Sequence, residues 1–262
     1  FTLDPAAGVT GTVSFTFTVC DSGEGAPASQ CTAALTASFD IAGPVVWFVD
    51  PAAAVTGTGT LTKPFKTLAE ADAVDASNQR VFVYSGATAT GLTLNSGESL
   101  VGEAATGSFD TVLGITPPTT TIARPTLGGS AVTIGGTVTL ATNSTVKGVS
   151  ISTGTSAGLV GSGAITGVSV DQTSVTTTTG TAVNLNNARG SYVLSSVTTN
   201  GAASGILIDN QGSSDFSANG GSIAGATSRG VDINSGTGNF TYAGTITTTA
   251  AGRSVRSTCA RP

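Results

Sequence analysis

The chain has 262 residues, only 10% of them charged, and a formal net charge of −5. There is no basic stripe to neutralise phosphates and no apolar run long enough to cross a bilayer, which argues against nucleic-acid binding and against a membrane span. The absence of His excludes a Ser-His-Asp triad, a Cys-His pair and a His-based zinc site.

The composition favours an all-β protein. Gly contributes 36 residues, Thr and Ser are abundant, Met is absent, and β-branched residues are more common than strong helix formers. Low charge with many small polar residues is typical of secreted or cell-surface bacterial proteins, so we expect an extracellular location. The chain begins at Phe1 without Met or a signal peptide, and we interpret it as a piece of a longer protein.

Residues 1–44 form the first predicted segment. Apolar residues alternate strictly along 11–19 and along 35–41, which predicts a half-buried antiparallel hairpin. The segment resembles the last strands of the immunoglobulin-like modules of bacterial surface proteins. Cys20 and Cys31 bracket its loop. They could form a disulfide or remain two buried thiols, whereas Cys259 is expected to be unpaired.

Residues 45–262 form the second predicted domain. A strand over 45–49 is followed by a Gly-Thr-Gly-Thr loop at 57–60 and by an amphipathic helix over 64–74, with Phe65, Leu68, Ala69 and Ala73 on its apolar face. Further strands are expected within 80–84 and 91–103. This order of VVWFVDP, GTGT, KPFKTL, VFVYSG and SLVGE resembles the N-terminal entry of pectin-lyase-like right-handed parallel β-helices. The resemblance implies that the helix caps the first coil, an end that would otherwise expose core and strand edges.

A repeat of about two dozen residues supports the solenoid. Residues 104–130 are irregular, and we predict regular coils over about 131–255. One repeated apolar position is occupied, at nearly equal steps along the chain, by Ile151, Val175, Val197, Ile223 and Ile246. A fixed period in this range indicates units that bury their apolar faces only by stacking. The period stops at Val255, and exposed coil ends would favour a homo-oligomer.

The remaining acid–base candidates are carboxylates. Asn186, Asp209 and Asn234 share one column, which is expected to be structural because Asn and Asp suit corners. The neighbouring outward column is predicted to hold Asn184, Leu207, Asp232 and Ser254. Asp209, Asp232 and Arg229 would then lie on one exposed face, with carboxylates on adjacent coils about 5 Å apart. Such a face could supply acid–base groups, calcium ligands or an arginine clamp.

A further catalytic candidate is Asp215. Residues 212–220 (GSSDFSANG) resemble the G-x-x-D-F segment of pectin methylesterases, whose Asp is catalytic, but the other elements of that family are not found. No cofactor is predicted. Calcium is the one metal for which the sequence offers candidate ligands, namely Asp50 and the pair Asp21 and Glu24. Trp47 and Phe48 are expected in the core.

Two functions are therefore open. The first is a structural, adhesive or glycan-contacting module of a bacterial surface protein, with carbohydrate or a cell-surface glycan as its partner. The second is a β-helix hydrolase, cleaving polysaccharide or ester bonds, that uses Asp209, Asp215, Asp232 and Arg229. A groove of converging carboxylates and Arg would favour the second function.

Overall fold

The computed structural model describes residues 6–21, 30–117 and 123–258. The chain divides into two compact units, Phe1–Val45 and Val46–Pro262. The predicted free thiol of Cys259 and the calcium candidate Glu24 lie outside the described residues.

The first unit is an antiparallel hairpin of β1 (Gly11–Phe17) and β2 (Leu35–Ile41), as the alternation predicts. Its register pairs Val13 with Phe39 and thereby puts apolar side chains on one face. The connecting segment is closed by a disulfide between Cys20 and Cys31.

The second unit is a parallel β-solenoid with about 24 residues per coil, built on residue types that favour strands. Its strands are β3 (Val46–Val49), β4 (Arg80–Val83), β5 (Gly86–Thr88), β6 (Leu92–Thr93), β7 (Ser99–Gly102), β8 (Val132–Ile134), β9 (Val138–Thr139), β10 (Thr145–Lys147), β11 (Ser150–Thr153), β12 (Leu159–Thr177), β13 (Val183–Asn200), β14 (Ser204–Asp209), β15 (Asp215–Ala218), β16 (Ser222–Ala226), β17 (Arg229–Asn234), β18 (Phe240–Tyr242), β19 (Thr245–Thr248) and β20 (Arg253–Thr258). Parallel stacking starts at β3 and β4, in the part of the predicted β-helix domain that precedes the regular coils predicted from about residue 131.

The strand pairs form three faces. Face A stacks β3, β4, β7, β10, the middle of β12 and β13, β15 and β18. Face B stacks β5, β8, β11, the last parts of β12 and β13, β16 and β19. Face C stacks β6, β9, the first parts of β12 and β13, β14, β17 and β20.

Each face contributes continuous columns of side chains to the core. The inward column of face A runs through Trp47, Val81, Leu100, Val146, Val170, Tyr192, Phe216 and Phe240. All but the last are buried, so Trp47 is a core residue as predicted. Coil backbones approach closely at the corners: a Cβ on Gly238 would lie 1.9 Å from the Ser214 carbonyl oxygen, which only Gly tolerates.

The predicted columns are mostly confirmed. Ile151, Val175 and Val197 are in register, as are Val183, Ile206, Val231 and Val255. The predicted step from Val197 to Ile223 is wrong, because Ile223 pairs with Thr199 instead. Thr199 is buried, and its hydroxyl donates to the carbonyl oxygen of Thr178, so a polar residue precedes Ile223 and Ile246 in their own column.

The first helix, α1 (Leu68–Asp72), is much shorter than the predicted 64–74. A capping box between Thr67 and Glu70 begins it. Its buried residues are Leu68 and Ala71, whereas Ala69 and Ala73 are exposed, so the predicted apolar face is wrong in part. The reason is that Phe65 precedes the helix in an extended bridge with Val49, and helical periodicity does not apply to it.

A second helix, α2 (Phe109–Leu113), lies within the segment predicted to be irregular. It covers the outward side of face A at its first coils. The resulting outer cluster comprises Phe48, Phe82, Val101, Ala105, Phe109 and Leu113. Within the described residues, neither helix is long and apolar enough to cross a membrane.

Candidate functional site

The predicted site lies on the outer surface of face C, where β13, β14, β17 and β20 stack in register. Asn186 pairs with Asp209, which pairs with Asn234, so the predicted column is confirmed. The residue after each column member has a positive φ: 53° at Asn187, 53° at Asn210 and 61° at Ser235. The chain therefore turns one residue later than predicted, in the left-handed region that Asn adopts more readily than most residues.

The neighbouring outer column runs through Asn184, Leu207, Asp232 and Arg256. Ser254 was predicted in the last place, and that prediction is wrong. The register of β17 with β20 places Arg256, and not Ser254, directly opposite Asp232.

Asp232 is held between two arginines. Its Oδ2 lies 3.0 Å from Nη1 of Arg229, three residues earlier on the same strand. Its Oδ1 lies 2.7 Å from Nε of Arg256 on the next coil. Asp232 is only 4% exposed, so the predicted exposed carboxylate is in fact covered by the two arginine side chains. Both oxygens accept charge-assisted hydrogen bonds, and the burial of Asp232 limits the access of a substrate to this carboxylate.

Asp209 is bonded within its own column. Its Oδ1 accepts a hydrogen bond from Nδ2 of Asn234 at 3.1 Å, and Oδ1 of Asn234 accepts one from the Thr258 hydroxyl at 2.6 Å. Asp209 and Asp232 lie on neighbouring strands but two register positions apart, since Asp209 pairs with Asn234 and Asp232 with Leu207. They do not form a carboxylate pair directly opposite each other.

Asp215 belongs to a different surface. It begins β15 on face A and is exposed. Its Oδ1 accepts hydrogen bonds from both the backbone N–H and Nδ2 of Asn239, at 2.8 and 3.1 Å. The sequence candidates are thus distributed over two faces, with only Arg229 and Asp232 in contact.

Asp215 also borders a cavity of about 260 Å³ at the corner between faces C and A. Its apolar wall is formed by Leu185, Tyr192, Ile208, Phe216, Ile233 and Phe240. Burial raises the pKa of Tyr192, whose hydroxyl donates to the Ala188 carbonyl oxygen at 2.7 Å. The segment that resembles pectin methylesterases contributes Gly212, Ser214, Asp215 and Phe216 to the cavity wall, but no periodic signal in the sequence indicates the cavity itself.

The predicted calcium ligands are engaged in local hydrogen bonds. Oδ1 of Asp50 accepts from the N–H of Ala52, and Oδ1 of Asp21 accepts from the N–H of Gln30. Among the described residues, no three His, Cys, Asp or Glu side chains are grouped so that they could hold a metal ion.

A carboxyl pair that the sequence analysis missed lies beside α1. Glu98 is fully buried, and burial raises its pKa to about 8. It shares a hydrogen bond with Asp75, whose pKa burial also raises. Oδ2 of Asp75 and Oε1 of Glu98 have no other partner among the described residues, so one proton shared between the two carboxyl groups would satisfy both. Neither residue lies in a repeated column, which is why periodicity did not identify the pair.

Comparisons of the chain with known protein families, with curated proteins and with solved structures find no match. The carbohydrate partner and the homo-oligomer therefore stay predictions from the sequence.

Proposed function

We propose that this chain is a non-catalytic structural module of an extracellular bacterial surface protein. One observation carries the proposal: each of the three carboxylates predicted as catalytic candidates bonds a residue on the next coil. Asp232 binds Arg256, Asp209 binds Asn234 and Asp215 binds Asn239, at separations of 24 to 25 residues.

Such contacts suit a rigid solenoid. Each coil of a repeat protein contacts only its neighbours, so stability depends on the interface between successive coils. The inward columns supply the apolar part of that interface, and these side-chain pairs add a polar part on the outer surface. A general base must be accessible to substrate, whereas Asp232 is 4% exposed and both of its oxygens are paired with arginines.

The extracellular location is supported by the disulfide between Cys20 and Cys31, because disulfides persist mainly in oxidising compartments. The family proposal extends the resemblance to pectin-lyase-like β-helices, which rests on the order of strand, Gly-Thr loop, helix and strand. We infer a right-handed coil, since parallel crossover connections have this hand in about 98% of cases. An experimental structure that shows a left-handed coil would contradict this.

The enzyme alternative is tested by a panel of polysaccharides and p-nitrophenyl esters. The chain and its Asp209→Asn, Asp215→Asn and Asp232→Asn variants are assayed at equal concentration, with circular dichroism to establish folding. The structural proposal predicts no turnover above buffer for any of the four proteins. Turnover by the native chain that one folded Asp→Asn variant abolishes would establish the hydrolase instead.

A further inference from the structure

The cavity at the corner between faces C and A contains an unusual polar group. The side chain of Gln211 lines the cavity and is 5% exposed. Neither its Nε2 nor its Oε1 has a hydrogen-bond partner among the residues the structure describes. Buried amides are almost always hydrogen-bonded, so two unpartnered atoms on one side chain indicate a missing partner.

The rest of the wall defines what that partner is like. Phe216 and Phe240 are stacked, with ring centroids 5.2 Å apart and planes 8° from parallel, and Tyr192 lies 6.3 Å from Phe216. A mostly apolar, aromatic wall with a few placed polar groups is typical of small-molecule sites. The cavity volume of about 260 Å³ exceeds the roughly 150 Å³ of an engineered apolar cavity in another protein that holds benzene. The volume is therefore sufficient for a six-membered ring with substituents.

The polar groups favour a neutral ligand with adjacent hydroxyls. The Gln211 amide offers donors on nitrogen and acceptor lone pairs on oxygen, side by side, and vicinal hydroxyls match both. Asp215 lines the cavity and is exposed, which gives the cavity an opening with a carboxylate beside it. No cationic side chain lines the cavity among the described residues. Arg189 lies against Gly212 nearby, but it is exposed and does not line the wall.

We propose that this cavity binds a single ring of a neutral sugar. The ring lies against the aromatic side chains, two neighbouring hydroxyls complete the hydrogen bonds of Gln211, and Asp215 accepts from a hydroxyl at the opening while it repels acidic sugars. This inference goes beyond the structural role and does not depend on it, because the polar pairs between coils could support the solenoid whether or not a ligand binds.

The test uses glucose, galactose and N-acetylglucosamine as neutral probes and glucuronic acid as the acidic one. Titrations of the ¹⁵N-labelled chain follow the side-chain amide resonances of Gln211. We expect at least one neutral sugar to shift them saturably in the millimolar range, and glucuronic acid to bind at least about tenfold more weakly. A crystal soaked with the binding sugar should show the ring between Gln211 and the aromatic side chains.

Variants distinguish sugar binding at this cavity from nonspecific binding. Gln211→Leu keeps the side-chain size and removes the amide, so it should weaken sugar binding at least about tenfold. Gln172→Leu is the matched control: Gln172 bonds Thr106 on another part of the solenoid, and its loss should leave binding unchanged. Asp215→Asn should bring glucuronic acid within a few-fold of the neutral sugar.

The proposal is overturned if no neutral sugar shifts the Gln211 resonances and the soaked crystals show only water in the cavity. It is also overturned if sugar binds equally well to the native chain and to a folded Gln211→Leu variant. Should that variant fail to fold, the resonance shifts and the soaked crystal of the native chain still decide the question. Neither result bears on the hydrolysis panel, so failure here and failure of the structural role are distinguishable.

Discussion

The first and the last coils of the solenoid have the same kind of interior but differ in the residues of their outer surface. On face A, the outward column begins with Phe48, Phe82 and Val101, which α2 covers with Phe109 and Leu113. The same column continues as Lys147 and Asp171, which form an ion pair with Nζ 3.1 Å from Oδ2, and then as Val193, which is 40% exposed.

This difference shows that the two faces of a coil strand obey different constraints. The inward column must be filled at every coil, because neighbouring coils bury it regardless of position. The outward column needs an apolar residue only where another element covers it. In the first coils, a helix covers the apolar residues of the outward column. In the later coils no helix within the described residues covers this column, and polar side chains on neighbouring coils pair with one another.

The largest expected effect comes from removing a residue of the outer cluster. Phe82 is fully buried, with its ring 5.0 Å from Tyr84 and 5.1 Å from Phe109. We expect Phe82→Ala to lower the free energy of unfolding by about 3–5 kcal/mol, from lost burial and the cavity left behind. Denaturant unfolding followed by circular dichroism measures this change.

The matched control is Val193→Ala, in the same outward column but exposed. Its effect should stay within about 0.5 kcal/mol, as for surface substitutions generally. Equal losses for the two variants would mean that α2 does not protect the outer cluster, and the contrast between first and last coils would be wrong.

The sequence predicts the inward columns well, because apolar residues that recur at a nearly constant period must face the core. It predicts the register less well where a polar residue occupies a position in the solenoid interior. Thr199 occupies the buried position opposite Ile223 with its hydroxyl bonded to backbone oxygens, so the apolar pattern points to Val197 two positions earlier. The helix α2 has five residues, too few to show helical periodicity, and the cover it provides depends on tertiary contacts.

The candidate site shows the same division. The column of Asn186, Asp209 and Asn234 follows from the period. The closeness of Arg229 and Asp232 was predicted only from their separation of three residues, and a regular strand would place them on opposite faces. The contact between Asp232 and Arg256 could be predicted only with the correct step between the last two coils. The burial of Gln211 and Glu98 could be recognised only from the three-dimensional structure. A single polar residue in a turn gives no periodic signal that reveals its burial.

The next largest effect concerns Glu98, the buried acid of the first coils, which is paired with another carboxyl group and not with arginines. Glu98 accepts a hydrogen bond from the N–H of Asn95 at 2.6 Å, and it faces Asp75, with Asp72 and Arg80 as the nearby charged groups. Its folded pKa of about 8 exceeds the ordinary value of 4.5. The folded state therefore binds this proton more tightly than the unfolded state does.

A raised carboxyl pKa fixes the direction of the pH effect. The stabilisation is complete below about pH 4.5, declines as the pH rises, and is lost once the pH passes about 8. Each pH unit in this window costs at most about 1.36 kcal/mol, or about 3–5 °C in the melting temperature of a chain this size. Glu98→Gln imitates the protonated group, so its melting temperature should decline less steeply than that of the native chain between pH 5 and 8. Parallel melting curves would contradict the assignment.

The smallest expected effect tests the polar pairs of the last coils. Asp232→Asn removes the carboxylate that separates Arg229 from Arg256 and leaves the two cations facing a neutral amide. Removal of one partner from a fully buried pair costs about 3–5 kcal/mol, but both arginines are one-third exposed and keep much of their hydration, so we expect about 2 kcal/mol.

Asp209→Asn is the matched control: its amide oxygen can still accept from Asn234, and its effect should stay within about 0.5 kcal/mol. Denaturant unfolding of both variants at low and high salt distinguishes the cases, because the Asp232→Asn loss should shrink as salt screens the arginine repulsion. An equal loss in the two variants would show that the ion pairs add nothing beyond the hydrogen bonds, and that the last coils are held by their interior alone.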